Sequence, residues 1–468
     1  MTLPEENLCS VLTGYDCAVE SESILSLSDA AGGLVILLAF LSSFMFIAKK
    51  MLVSVTPVIL VTSGFFIVGM FLYLPVSPFY IPSDASYYQA WGYSLSDYWA
   101  GEGPMVDRQI WPGKGFWPLI IAALHFFLGP IYVAAIAFNS GVFGLMILAL
   151  QKSILLLSSK SGSWVLGFLV ATSTPFALFG PSLLRESLFW LGASGGVLGI
   201  SYLARREVRN GLLSLSWAVF LLLAIRPDAG VVIAYSFVGA AIVLFGLAGP
   251  FQSKRKKILS ALALTGLLVS FPPASSFLIP INDPAYVEAA ASSLSTPDIT
   301  TRFLPFPGDG PGLVSDDGPG LLSDDGPGLL SNDGPGLLSN DGCESFLALK
   351  VLCKSLGHLP NALFGPFYWE YGSGAIWWIS GMSTLHFLSV SGLALTYVVS
   401  REGRGWISLG VLGVALVSFL MFSSIMTNYG ILIRFRAATE VILTPLAISG
   451  YFVISSEWKK FLSNRTKS

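Results

Sequence analysis

The sequence predicts an all-α fold, a polytopic bundle of about eleven transmembrane helices with long loops on the extracytoplasmic side. Three observations carry that expectation. Apolar runs close to the ~20 residues needed to cross a ~30 Å hydrocarbon core recur along the whole chain. Of the 468 residues, 53% are hydrophobic and 12% charged, with a mean hydropathy of +0.70, whereas a soluble domain carries roughly a quarter charged residues. Lys and Arg gather in the connections between alternate runs instead of spreading evenly. Together these exclude a soluble enzyme, and nucleic acid is not an expected partner.

In chain order, residues 1–29 form an acidic tail without the basic leader region of a cleavable signal peptide, so the tail is expected to be retained. Spans are expected at 30–48, 52–74, 130–151, 163–180, 187–203, 210–226, 229–248, 258–279, 374–399, 406–426 and 437–455. Residues 30–279 thus make the first part of the bundle, interrupted by a loop at 75–129, and residues 374–455 make the second. Residues 116–129 are apolar but short and follow Pro112 and Gly115, which suits an interfacial or re-entrant helix better than a full crossing.

The basic clusters are Lys49/Lys50, Lys152 with Lys160, Arg205/Arg206/Arg209, Lys254 to Lys257, Arg401/Arg404, and Lys459/Lys460 with Arg465 and Lys467. With the N-terminus outside, every one falls on the cytoplasmic side, as the positive-inside rule requires. The expected localisation is therefore the plasma (inner) membrane, multi-pass, with a cytoplasmic tail at 456–468. Residues 75–129 and 280–373 then face outward, and chemistry is sought there. Cys9, Cys17, Cys343 and Cys353 all fall on this oxidising side, so Cys9/Cys17 and Cys343/Cys353 are disulfide candidates, with four free thiols as the alternative. The second outer loop holds four octapeptides, DGPGLVSD, DGPGLLSD, DGPGLLSN and DGPGLLSN, across residues 309–340. With so few apolar side chains per unit, these read as a turn-rich spacer, and they lack the ligand spacing of a calcium loop.

Charge inside or at the edge of a spanning helix costs several kcal/mol, so charges on the side depleted of basic residues need a reason. The first outer loop combines Asp84, Arg108 and Lys114 with many Tyr and Trp, a mixture suited to sugar recognition, although an interfacial aromatic belt would look similar. Asp84 is the favoured carboxylate because it follows the second span most closely. Arg185 and Glu186 in PSLLRES, and Arg226 and Asp228 in IRPD, adjoin outer helix turns; a snorkelling Arg paired with its neighbouring acid is the plainer reading of both. Arg434 and Arg436 in NYGILIRFRAATE break the orientation bias, and an anionic ligand such as a lipid-linked phosphate would offset the cost. No phosphate-cradling Gly-rich loop, HExxH motif or serine triad is present, and the three histidines are His125, His358 and His386.

The order of SDASYY, PGKGFWPLIIAALHFFLGPIYVAAIAFN, PSLLRES, IRPD, LPNALFGPFYWEYG and NYGILIRFRAA resembles the C-type superfamily of polytopic membrane glycosyltransferases and its polysaccharide-polymerase relatives, over about residues 75–455. The resemblance implies a sugar donor on a polyprenyl phosphate or pyrophosphate, a glycan, lipid or protein acceptor, and a role in cell-envelope polysaccharide or glycoconjugate synthesis. By position it implies Asp84 as catalytic base, followed by Tyr87, with Arg434 and Arg436 at a lipid phosphate. Arg185, Glu186, Arg226, Asp228 and Glu370 would form a supporting ring, while Arg108 and Lys114 are substrate-binding candidates as basic residues on the side depleted of them. No metal site or cofactor is required, and a divalent cation is optional. The N-terminal span that precedes the acidic loop and the absence of an adjacent acid pair depart from the superfamily pattern. The rival expectations are a transporter or flippase of a lipid-linked glycan and a non-enzymatic scaffold displaying the repeat loop.

Overall fold

The computed structural model describes residues 27–73, 83–103, 116–129, 132–182, 184–244, 359, 363, 374–400, 403, 405–425 and 429–465. The four cysteines, the octapeptides, the expected span at 258–279, and Arg108, Lys114 and Glu370 lie outside the described residues.

The described chain is all-helical, with no strand. Its helices are α1 (Leu27–Met51), α2 (Thr56–Tyr73), α3 (Ser83–Ala100), α4 (Phe116–Leu128), α5 (Val133–Ser158), α6 (Ser163–Ala171), α7 (Thr174–Phe179), α8 (Glu186–Ala204), α9 (Val208–Ile225), α10 (Pro227–Val243), α11 (Gly374–Val399), α12 (Trp406–Ile425) and α13 (Tyr429–Arg465). Six segments are long and apolar enough to cross a membrane: Asp29–Met51, Val133–Ser158, Glu186–Ala204, Val208–Ile225, Ile379–Val399 and Ile433–Asn464. Thr56–Leu72, Phe116–Leu128, Ala229–Val243 and Trp406–Leu420 are shorter apolar helices. The described residues therefore supply six clear candidates where the sequence led us to expect about eleven spans.

Helix α5 is apolar around its whole circumference, and such a helix is stable only when surrounded. It is accordingly the centre of the bundle, with 89% of its spanning window buried against 22% for α1. Close approach to α1 is made possible by Gly141 and Gly144, where a Cβ would fall 2.2 Å from the Phe40 ring and 2.4 Å from the Phe44 ring. Helices α8 and α13 flank α5 and are also mostly buried.

Three expectations about elements change. Residues 83–100, expected to be part of a loop, form α3, which folds back on α4: Gly92 lies against Ile121, and the Tyr93 and His125 rings are 4.3 Å apart. The segment 163–180, expected as one span, is broken into α6 and α7, because Pro175 carries no N–H and its ring excludes a helical carbonyl four residues earlier. Ser173 at the break is extended, with φ −77° and ψ 111°. Finally, α13 runs 37 residues through Pro445, so Arg434 and Arg436 sit within its first turns and not in a loop before it.

Long-range hydrogen bonds fix which helix ends lie together. At one end the Asp29 carboxylate accepts the N–H groups of Tyr132, Val133 and Ala134 at 2.9, 3.0 and 3.1 Å, capping the start of α5. Asn139 Nδ2 donates to the carbonyls of Ser182 and Leu184 beside the start of α8. At the other end Lys152 donates to Met51 O, Arg205 donates to Leu156 O, and Lys160 lies over the Phe452 ring. Lys49, Lys50, Lys152, Lys160, Arg205, Arg206, Arg209, Lys459 and Lys460 all belong to this second end. The first end holds Arg185, Arg226, Arg434 and Arg436.

Candidate functional site

Two short turns at the first end of the bundle, before α8 and between α9 and α10, and the start of α13 bring three arginines to that end. Arg185 immediately precedes α8, Arg226 occupies the single residue between α9 and α10, and Arg434 lies in the second turn of α13. Pro227 at the first position of α10 explains the tight α9–α10 corner, since its missing N–H needs no helical partner there. Arg185 Nη1 donates to Ile225 O at 2.9 Å, which ties the α8 start to that corner.

All three guanidiniums rest on aromatic rings. Arg185 lies 5.6 Å from the Tyr88 ring of α3, Arg226 lies 5.0 Å from Phe435, and Arg434 lies 5.0 Å from Phe179. Phe435 in turn stacks on Phe422, with centroids 4.3 Å apart. Rings offer a cation an attractive face in surroundings that hold little water. The described carboxylate among them is Glu186, 1% exposed, whose Oε1 meets Arg434 Nη1 at 3.2 Å. Glu186 Oε2 is buried and has no hydrogen-bond partner among the described residues. Trp190 Nε1 donates to Arg434 O at 3.4 Å, anchoring α13 to α8 behind the ion pair.

Of the candidates named from sequence, Arg185, Glu186, Arg226 and Arg434 are brought together. Asp84 and Tyr87 belong to the first turns of α3, Asp84 four residues before the Tyr88 that meets Arg185, and Asp228 lies in the first turn of α10; their side chains lie outside the described residues. Arg436 is separated from Arg434. Two residues on in a helix turn about 200°, and Arg436 faces α11, where its Nη1 donates to Thr384 Oγ1 at 3.0 Å. Its side chain is fully buried.

No family model matches the chain, and neither does any curated protein or solved structure.

A second polar group lies deeper, and the pairing in it was not among the sequence expectations. Glu440, one turn after Arg436, is fully buried; its Oε2 is 3.0 Å from His386 Nδ1 on α11 and accepts a hydrogen bond from Ser173 Oγ at 3.3 Å. The His386 Nε2 is 2.9 Å from Leu169 O, a carbonyl in the last turn of α6 that also accepts from Thr172 Oγ1 at 3.1 Å. A lone histidine in an apolar helix gives little warning of such a partner. The one available signal was its coincidence with Glu440 and a proline-broken segment, three features far apart in sequence. Among the described residues, no three His, Cys, Asp or Glu side chains converge as a metal site would need.

Proposed function

We propose that this protein is a plasma-membrane glycosyltransferase that spans the bilayer about eleven times and uses a polyprenyl-phosphate-linked or pyrophosphate-linked sugar at the extracytoplasmic face. The observation that carries this reading is the gathering of Arg185, Arg226 and Arg434 at one end of the bundle, with Arg434 paired to Glu186 and Arg185 against the helix whose first turn holds Asp84. A phosphate arriving at that end meets three guanidiniums and can accept bidentate, charge-assisted hydrogen bonds. Asp84 takes the proton of an acceptor hydroxyl, the hydroxyl oxygen bonds to the anomeric carbon, and the bond from that carbon to the lipid phosphate breaks. The arginines stabilise the charge gathering on the departing phosphate. Glu186 holds Arg434 in place within the cluster. The sorting of basic residues to the opposite end supports an outer location for this site under the positive-inside rule. Alternation of helix ends, with one further span at 258–279, supports the eleven crossings.

The test is transfer from synthetic short-chain polyprenyl-linked sugars by the protein in nanodiscs. Asp84→Asn and Arg226→Ala are expected to lower turnover by about 10²-fold or more, with folding checked by thermal melting. Full activity in both variants would overturn the assignment.

One observation favours a second reading, movement of a lipid-linked glycan across the bilayer. The α6–α7 break sits within the bundle, and discontinuous helices are where transporters place binding groups. Sugar-lipid translocation in vesicles without any transfer product would select that reading.

A further inference from the structure

We propose that His386 and Glu440 form a proton-binding site inside the bundle, and that loading this site latches the α6–α7 break against α11 and α13. The inference does not depend on which substrate the arginine cluster takes.

Hydrogen-bond bookkeeping at His386 carries it. Leu169 O can only accept, so the 2.9 Å contact requires a proton on Nε2. A proton is also needed at Nδ1, 3.0 Å from Glu440 Oε2, either as imidazolium facing carboxylate or as neutral imidazole accepting from the carboxylic acid. A neutral histidine beside an ionised Glu440 satisfies only one contact. With the proton on Nε2, the Nδ1 lone pair faces the carboxylate; with it on Nδ1, the Nε2 lone pair faces the Leu169 carbonyl. The observed arrangement therefore holds one proton more than neutral histidine plus carboxylate. Losing that proton means breaking one of the two contacts.

The Leu169 contact is to the break itself, and the Glu440 contact shares its acceptor oxygen with the break. Leu169 O lies in the last turn of α6, and Ser173, the extended residue between the two helices, donates to the same Glu440 oxygen. Histidine, serine and glutamate thus join α6, the α6–α7 link, α11 and α13 across sequence separations of 54 to 267 residues. Glu440 Oε1 is buried without a hydrogen-bond partner among the described residues, an open acceptor beside the loaded pair. Such an atom is costly to leave unsatisfied in a low-dielectric interior, so it marks a place for a transient proton or water.

The charged and titratable groups around the pair are few. On α13 itself Arg436 precedes Glu440 by one turn and bonds Thr384 of α11, two residues from His386. Described helix α12 carries none, and neither do α6 and α7. On α8, Glu186 is engaged with Arg434, and Tyr202 lies at the far end; on α5, Lys152 lies at the far end, as does Tyr397 on α11. Thus no second described carboxylate adjoins His386.

The experiment uses the full chain in bilayers with ¹⁵N-labelled histidine, which gives three imidazoles, and identifies His386 by loss of its signals in His386→Gln. Between about pH 5 and pH 9 the His386 nitrogens and an infrared carboxyl band of Glu440 are expected to change in one common step. Glu440→Gln is expected to remove the band and move the histidine step. In the same pH interval, amide exchange of peptides covering residues 166–180 should speed up by roughly tenfold as the proton leaves, and should lose its pH dependence in Glu440→Gln beyond the intrinsic chemical rate. His386 signals that do not titrate, that titrate identically without the Glu440 carboxylate, or that titrate with no change in exchange at 166–180 would overturn the proposal. The wild-type titration, read together with wild-type exchange, tests the latch even if a variant does not fold.

Discussion

Replacing Asp29 tests how the central helix is held. Its carboxylate is 2% exposed and accepts three N–H groups at the start of α5, all at 3.1 Å or less. These are the donors a helix cannot satisfy itself, and Asp29 reaches them from α1, more than one hundred residues earlier. Asp29→Ala leaves three buried donors unpaired and removes a negative charge from the positive end of the helix. Unmade buried hydrogen bonds cost about 1–3 kcal/mol each, and caps alone are worth about 0.5–2 kcal/mol, so partial relaxation leaves an expected loss of about 3–5 kcal/mol. Asp29→Asn keeps one acceptor oxygen and loses the charge, for an expected loss of about 1–2 kcal/mol. Thermal unfolding in detergent should rank wild type above Asn and Asn above Ala, and amides of residues 133–137 should lose protection in the same order. If Ala matched Asn within about 0.5 kcal/mol, or if the α5 amides were unaffected, the capping account would be wrong.

Four further outcomes are expected. Arg434→Met should destabilise the protein by about 3–5 kcal/mol by leaving the buried Glu186 without its ion-pair partner, and adding Glu186→Gln should restore most of that; strictly additive losses in unfolding experiments would argue against the pair. Gly450→Ala should cost about 1–3 kcal/mol or more, because its Cβ would stand 2.0 Å from Leu393 O and force α13 away from α11; a melting temperature equal to wild type would refute that close approach. In a background where Ser replaces the four cysteines, cysteines at Glu102 and Arg206 should react with impermeant reagents from opposite faces of sealed vesicles, and labelling of both from one face would break the end assignment. Deleting residues 309–340 should leave transfer activity within about twofold if the octapeptides are a spacer; complete loss would favour the scaffold reading instead.

Much of the helical framework was legible because the signals are local. An apolar run fixes its own backbone bonding, so α1, α2, α8, α9, α11 and α12 fall within about four residues of the expected limits. Where local signals conflicted, the reading failed. The aromatic and polar residues 83–100 looked like a loop until burial of Tyr88, Trp91 and Leu95 showed what stabilises them as a helix. Pro175 announced its break in advance, yet the surrounding apolar run masked it.

Arg185, Glu186, Arg226 and Arg434 stood out in the sequence as charges whose position carries a cost. That they share one end follows from chain order alone, once the helices alternate in direction. Which of them touch was decided by the tertiary structure: a helix separates Arg434 from Arg436 by about 200°, sending one to Glu186 and the other to Thr384. The Asp29 cap and the His386–Glu440 pair were beyond the sequence for the same reason. Hydrophobicity and helix propensity act over a few turns and can be read along the chain, whereas a hydrogen bond across 54 or 103 residues exists only after packing has selected which faces meet.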